Sequence, residues 1–266
     1  TRLPKKVMRD INGTPLIGIL LKRLSLSKKI EKIILATSEN IVNDPLVNYV
    51  RSLGYSVEKG SENNVLERFY LTAAKYNATS VTNDVTDKDV VELITNKNIV
   101  ALFQGRSEAG PRALGNRSIL YDPRDPNGKD HVNNVKHREY FRPFAGSILK
   151  EHVHEWFDLR GMDETPFMMY AVNCQPGIEE KIPAIIHVDK TCRIQTVTSE
   201  QNKNYYELIQ EFFKQTGCPI IFNTSFNLGG EPLVETLDDA LHTLSNSGLE
   251  YLYLPEYGKL ITVKND

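Results

Sequence analysis

The stretch DKDVVELITNKNIVALFQG, residues 87–105, decides the fold. Val90, Val91 and Ile94 recur at helical spacing, and after the polar break TNKN the run Ile99–Phe103 is apolar throughout and ends near Gly105. This predicts a helix over Val90–Ile94 and a buried strand over Ile99–Phe103. In α/β proteins the segment just beyond such a strand commonly holds the chemistry. Here that segment contains GPRALGNRS, residues 110–118.

Toward the N-terminus the alternation has already occurred once. Leu16, Ile17, Leu20, Leu21 and Leu24 form a helical stripe, Ile33–Ala36 is a strand pattern, and a helix over 45–52 stops at Gly54 before a strand at Tyr55–Val57. A further helix runs through NNVLERFYLTAAKYNAT. Helix and strand alternating at this spacing predict a parallel sheet covered by helices, hence an α/β class. The polar run NATSVTNDVTDKD then marks a boundary, placing one segment at 1–82 and another at 83–266.

Toward the C-terminus, residues 107–147 concentrate positive charge among glycines and prolines. Gly110 and Gly115 supply backbone positions that side chains would obstruct, Pro111 stiffens the approach, and Arg112 and Arg117 stand between and beside them. Lys129, Lys136, Arg138 and Arg142 follow. If DHVNNVKHREYF, residues 130–141, is helical, Asn133, Lys136 and Tyr140 share one face and Arg138 and Arg142 another, with Asp130 and Glu139 as acidic partners. The arginine fork matches phosphate or carboxylate oxygens in pairs, so the cluster reads either as a phosphate site or as a solvated, ion-paired surface. It lacks the long exposed stripe of a nucleic-acid binder.

Further on, IPAIIHVDKTCRIQTVTSE alternates as a strand pair that places His187 and Asp189 on one side of a strand, with Arg193 beyond a turn. No third ligand stands nearby, so no metal site is assigned. YYELIQEFFKQTG is an amphipathic helix stopped by Gly217. CPIIFNTSFNLGGEPLVE is a buried strand that breaks into Asn223, Thr224, Ser225 and Asn227, a polar turn able to meet an anion.

Composition bounds these readings. The chain has 266 residues, 40% hydrophobic, with 32 basic and 34 acidic side chains and a net charge of -2. That balance exerts no general pull toward nucleic acid or an anionic membrane, and any positive field is local. Three widely spaced cysteines without a CxxC pair read as free thiols. There is no apolar run of membrane-spanning length and no signal peptide, so a cytoplasmic protein is expected. The start TRLPKK lacks methionine, as part of a longer chain would.

Two resemblances sharpen this. TRLPKKVMRDINGTPLIGILLKRL with KIEKIILATSE and DPLVNYVRSLGYSVEKGSENNVLERFY resembles the start of cytidylyltransferases of the spore-coat-polysaccharide and acylneuraminate type, which implies a partial Rossmann-type nucleotidyltransferase module with Arg2 and Lys5 or Lys6 near a triphosphate. ALFQGRSEAGPRALGNRSILYDPRD, VKHREYFRPFAGSIL, IPAIIHVDKTCRIQTV and TGCPIIFNTSFNLGGEPLVETLDDAL together resemble the C-terminal, YrdC-like part of the NodU/CmcH O-carbamoyltransferases, from about residue 86 to the end. That resemblance implies a YrdC-like α/β domain with an open twisted mixed sheet, binding carbamoyl phosphate and ATP, with Mg2+, to form carbamoyladenylate. It implies catalytic roles for Arg112, Lys136, Arg142 and Arg193, and binding roles for Arg117, Arg138, Asn223, Ser225 and Asn227. It further implies that a Kae1-like transfer domain or partner chain passes the carbamoyl group to a sugar-like or natural-product hydroxyl. Small-molecule phosphates are the expected partners, with no nucleic acid or membrane, and the chain is expected as a homo-oligomer. The alternatives are a noncatalytic phosphate-binding module and a cytidylyltransferase of surface-polysaccharide synthesis.

Overall fold

In a computed structural model of the protein, residues 6–27, 30, 32–75 and 80–263 are described. The chain divides into two compact units, residues 1–78 and 79–266. The sequence pattern places the boundary at 82/83. Ser80–Thr82 nevertheless belongs with the second unit, because Val81 pairs with Ile261 of its sheet.

In the first unit β1 (Asp10–Ile11) and β2 (Thr14–Pro15) form a hairpin across Asn12 and Gly13, whose φ values of 51° and 85° suit a tight turn with left-handed central residues. There follow α1 (Leu16–Leu24), β3 (Ile34–Ser38), α2 (Asp44–Ser52), β4 (Ser56–Gly60) and α3 (Val65–Lys75). β3 and β4 pair in parallel, Leu35 opposite Val57, and α2 supplies the crossover that parallel strands need. The apolar stripe of α1 meets α2 and β4 in a core of Ile17, Leu21, Leu46, Val47, Val50 and Val57. Lys6 sits in an exposed turn of 3-10 helix. Arg2 and Lys5 lie outside the described residues.

The second unit is built on one ten-stranded mixed sheet. In chain order its elements are β5 (Ser80–Thr82), α4 (Asp87–Thr95), β6 (Val100–Phe103), β7 (Arg117–Tyr121), α5 (Gly128–Val135), β8 (Ala145–Leu149), α6 (Val153–Trp156), β9 (Phe157–Asp158) and β10 (Ala171–Cys174). Then come β11 (Thr191–Val197), α7 (Lys203–Thr216), β12 (Ile220–Ser225), α8 (Leu237–Ser245), β13 (Tyr251–Leu254) and β14 (Lys259–Thr262). Across the sheet the order is β5-β14-β13-β6-β7-β12-β8-β11-β10-β9. β13 with β6 and β8 with β11 are parallel, and the other neighbours are antiparallel.

Local chemistry sets the helix ends. Thr86 and Asp89 form a reciprocal capping box at α4, and Thr236 and Asp239 repeat it at α8. Asn202 caps α7, which ends at Gly217 with φ 71°. Phe222 packs against both Tyr121 and Phe144 in the core, its ring centroid 4.5 Å from that of Phe144.

Two expectations are corrected. The helix expected over 130–141 ends at Val135, and His137 turns the chain with φ 51°. Asn133 holds the turned segment: its amide donates to the Arg142 carbonyl at 3.2 Å, and its side-chain oxygen accepts from Arg138 at 2.6 Å. The expected strand pair over 182–200 is a single strand, β11, preceded by a 3-10 turn at Pro183–Ile185. His187 and Asp189 sit in the intervening turn, where His187 contacts the Thr191 hydroxyl and the Phe144 carbonyl, and Asp189 accepts from Thr191. Among the described residues no group of three His, Cys, Asp or Glu side chains is placed to hold a metal ion.

Candidate functional site

The site begins with strand register. Ala145 of β8 stands opposite Asn223 of β12 on one side and Arg193 of β11 on the other, and Arg193 in turn stands opposite Ala171 of β10. Residues in one such row project from the same face. Asn223 and Arg193 are therefore two strands apart, about 10 Å, with only the methyl of Ala145 between them. A small residue between two long polar ones leaves a hollow.

The GPRALGN loop crosses this hollow and is held at successive residues. The carbonyl of Ala113 accepts from Asn223 Nδ2 at 3.1 Å and that of Leu114 from Gln195 Nε2 at 3.0 Å. The amides of Leu114 and Asn116 donate to Glu108 Oε1 at 2.7 and 2.9 Å, and the Gly115 amide donates to Ser118 Oγ. Gly115 has φ 104°, and a Cβ there would lie 2.2 Å from the Tyr205 ring. Only glycine fits that approach, so the loop backbone from Ala113 to Asn116, which carries Arg112 at its edge, is held by the protein's own bonds.

Arg112, Arg138 and Arg193 thus line one pocket of about 90 Å³, together with Asn223, Thr224, Ser225, Phe144, Met168 and neighbouring residues. Among the described residues none of the three arginines is in an ion pair. Burial holds the Arg193 guanidinium below its ordinary pKa, and nearby Arg112 lowers it further. Burial and then Arg142 and Arg193 bring Arg138 down to about 10. Arg138 is aimed by Asn133 and by the Phe144 ring, 4.2 Å from its guanidinium carbon. Arg193 Nε and Asn223 Oδ1 are buried without a hydrogen-bond partner among the described residues. Glu139 offsets the mutual repulsion of the arginines only in part at Arg138, and like charges held close are costly unless an anion joins them.

A second pocket of about 530 Å³ shares Arg138 and is lined by Asn133, Asn134, His137, Tyr140, Arg142 and the Gly229–Gly230 pair, among others. A Cβ at Gly229 would lie 2.7 Å from the His137 carbonyl oxygen, so glycine lets the two segments close together. The larger volume is in the range of roughly 300–1,000 Å³ usual for organic ligands, and the smaller suits only a compact ion.

Four of the expected site residues are placed differently. Lys136 is 2% exposed and donates to the carbonyls of Ser225 and Asn227 and to Asn227 Oδ1, so it braces the turn after β12 from beneath. Its ammonium is pulled down to about 7 by burial and by Arg138. Arg117 is 3% exposed, lies 3.6 Å over the Phe103 ring and donates to the carbonyls of Gln104, Gly105, Asn116 and Glu235. Arg142 is exposed, pairs with Glu139 at 2.8 Å and reaches only the larger pocket. Asn227 binds Ser225 Oγ, Lys136 and the Glu231 carbonyl rather than lining either pocket. Sequence reasoning missed Ser147 and Gln195, whose mutual bond of 2.8 Å supports Asn223 beneath the loop. For Ser147 the signal was present, a polar residue within the otherwise apolar strand AGSIL, whereas Gln195 stands in TCRIQTV, where other polar residues conceal it.

Comparison with known proteins agrees with the expected resemblances. The family described as Carbamoyltransferase C-terminus matches residues 91–259, and that described as Cytidylyltransferase matches residues 1–104. Nodulation protein NolNO of Sinorhizobium fredii is 44% identical over 177 residues, covering 66% of this chain and 26% of that protein. Nodulation protein NolO of Bradyrhizobium diazoefficiens is 43% identical over 172 residues, covering 64% of this chain and 31% of that one. The chain thus spans about a quarter to a third of these relatives. A crystal structure of full-length HypF in its phosphate- and nucleotide-bound form aligns with a TM-score of 0.43 and 16% identity, over 66% of this chain and 24% of that one. No helix among the described residues is long and apolar enough to cross a membrane. The arginine loop, the row on β8, β11 and β12 and the braced turn all fall within residues 91–259, and through that region the chain belongs to the carbamoyltransferase family, as its C-terminal part.

Proposed function

We propose that the second unit binds carbamoyl phosphate and ATP and forms carbamoyladenylate. In this reading the smaller pocket takes the phosphoryl group of carbamoyl phosphate between Arg112, Arg138 and Arg193, and the larger takes the nucleotide, with Arg138 reaching both. What supports it most is the set of three arginines that, among the described residues, have no ion pair and line a compact pocket in a member of this family. Tyr140, 60% exposed at the larger pocket, offers a face for a base, and the Gly229–Gly230 backbone a close approach for phosphates. Magnesium would arrive with the nucleotide, since no acidic cluster among the described residues holds it alone.

The chemistry balances as two steps. Water cleaves carbamoyl phosphate to carbamate and phosphate. A carbamate oxygen then attacks the α-phosphorus of ATP, the bond from that phosphorus to the bridging oxygen breaks, and pyrophosphate leaves with the electron pair. The arginines hold charge that develops on phosphoryl oxygens, where one placed donor contributes about 3–4 kcal/mol. The pre-fixed loop keeps carbamate near the second reactant, which matters for so labile an intermediate. Transfer to a hydroxyl acceptor then falls to residues outside this chain, in a longer protein or a partner.

Calorimetry with carbamoyl phosphate, ATP and CTP tests the reading. Carbamoyl phosphate and ATP are expected to bind, and Arg112→Ala to abolish carbamoyl-phosphate-dependent exchange between ATP and pyrophosphate while the fold persists. Near-normal exchange in that variant would sink the assignment. Binding without exchange in the wild-type chain favours a noncatalytic module. The match of residues 1–104 to Cytidylyltransferase supports a second reading, a CTP site in the first unit, and tight CTP binding without carbamoyl phosphate binding would favour it.

A further inference from the structure

We infer that Asn223 reads the amino group of the carbamoyl moiety and makes the smaller pocket selective for carbamoyl phosphate over other acyl phosphates. This rests on the proposed function and deepens it.

Asn223 is 1% exposed and lines the pocket. Its Nδ2 donates to the Ala113 carbonyl at 3.1 Å and to Ser147 Oγ at 2.9 Å, and the carbonyl partner, which can only accept, settles which end of the amide is which. That leaves Oδ1, an acceptor, buried without a donor. Arg193 Nε, a donor, is likewise buried without an acceptor in the same pocket, and the two do not bond each other. A buried polar group left unpaired is costly, so a ligand that satisfies both is favoured.

The chemistry of that ligand follows from the two orphans. A fully ionised phosphoryl group accepts from Arg193, Arg112 and Arg138 but has no hydrogen for Asn223 Oδ1. A carbamoyl group offers an N–H donor on the carbon that also bears a carbonyl acceptor, and so fits an acceptor set among donors. Acetyl phosphate has the same shape and charge with a methyl in place of the amino group. It would leave Asn223 Oδ1 unpaired. A site that hydrogen-bonds a polar group of its substrate discriminates well against the analogue that lacks it.

The test measures displacement of a reporter by carbamoyl phosphate, acetyl phosphate and inorganic phosphate on the full 266-residue chain, its Asn223→Ala variant and its Ser147→Ala variant. The wild-type chain is expected to prefer carbamoyl over acetyl phosphate by about ten- to a hundredfold, the scale of one buried group left unpaired. In Asn223→Ala this preference should fall to within about threefold of unity. Ser147→Ala disturbs the support of Nδ2 without removing Oδ1, and should keep most of the preference. Equal affinity of the wild-type chain for both acyl phosphates overturns the inference, whatever the variants do, and leaves the phosphate site standing. Retained preference in Asn223→Ala, or equal loss in Ser147→Ala, overturns it as well. Failure of all three anions to bind overturns the proposed function and this inference together.

Discussion

Replacing Lys136 with methionine is expected to give a stability deficit that grows with pH. The ammonium titrates near 10.5 when exposed and near 7 in the fold, where burial dominates. Between those values the unfolded chain binds the additional proton, so a rise in pH favours the folded state by about 1.4 kcal/mol per unit. From pH 7 to 9.5 the gain amounts to about 3 kcal/mol, a ceiling because the bonds to the Ser225 and Asn227 carbonyls favour the charged form. Lys136→Met abolishes this titration. It also leaves two main-chain carbonyls without their donor, at about 1–3 kcal/mol each. At pH 7 relief from burying the charge offsets most of that loss, so variant and wild type should be close. At pH 9.5 the relief has largely gone, and the variant should be less stable by up to about 3 kcal/mol more than at pH 7. Urea unfolding at several pH values measures the difference, and groups titrating alike in both proteins cancel. A gap that stays constant across this range would refute the claim that desolvation governs the lysine.

Gly115→Ala should cost about 3 kcal/mol or more in urea unfolding, since a Cβ there meets the buried Tyr205 ring at 2.2 Å with φ 104°; a near-neutral effect would contradict the close packing. Arg117→Met should lower stability by at least about 2 kcal/mol, because four carbonyl bonds and the stack on Phe103 are lost. Arg193→Gln should behave in the opposite sense, leaving the melting temperature equal or higher by easing its repulsion with Arg112, while weakening phosphate binding tenfold or more; a clear loss of melting temperature would speak against a ligand-free like-charge cluster. Thr236→Ala should cost about 1 kcal/mol through the α8 cap, read as a lower thermal midpoint.

Much of the fold was legible because its signals are local. The strand expected at Ile99–Phe103 is β6, Gly217 ends α7, and Gly54 follows α2, each marked by residues whose backbone preferences act within a few positions. The site was legible only in part. Arg112 and Arg117 are equivalent as letters, yet one stands on the loop and the other opens β7, where it turns toward Phe103. That sorting depends on sheet register, set by partners about a hundred residues away such as Asn223 opposite Leu120. Lys136 shows the same limit: a buried lysine is written like an exposed one, and only the carbonyls of a distant turn make it a brace. The helix assumed to run past it failed because Asn133 bonds the backbone ahead of it, an instance of a short polar side chain competing with helical pairing.

The position of β12 has a kinetic consequence. This strand is made more than ninety residues after β7, yet lies between β7 and β8, and must enter a gap flanked by two earlier strands. Such long-range closure is slow relative to local helix formation. Until it happens, Asn223 is not beneath the arginine loop and the pocket has no floor. A nascent or truncated chain ending before Ile220 therefore has its arginines but not the floor of their pocket, and on the proposed reading phosphate affinity would report completed folding of the second unit.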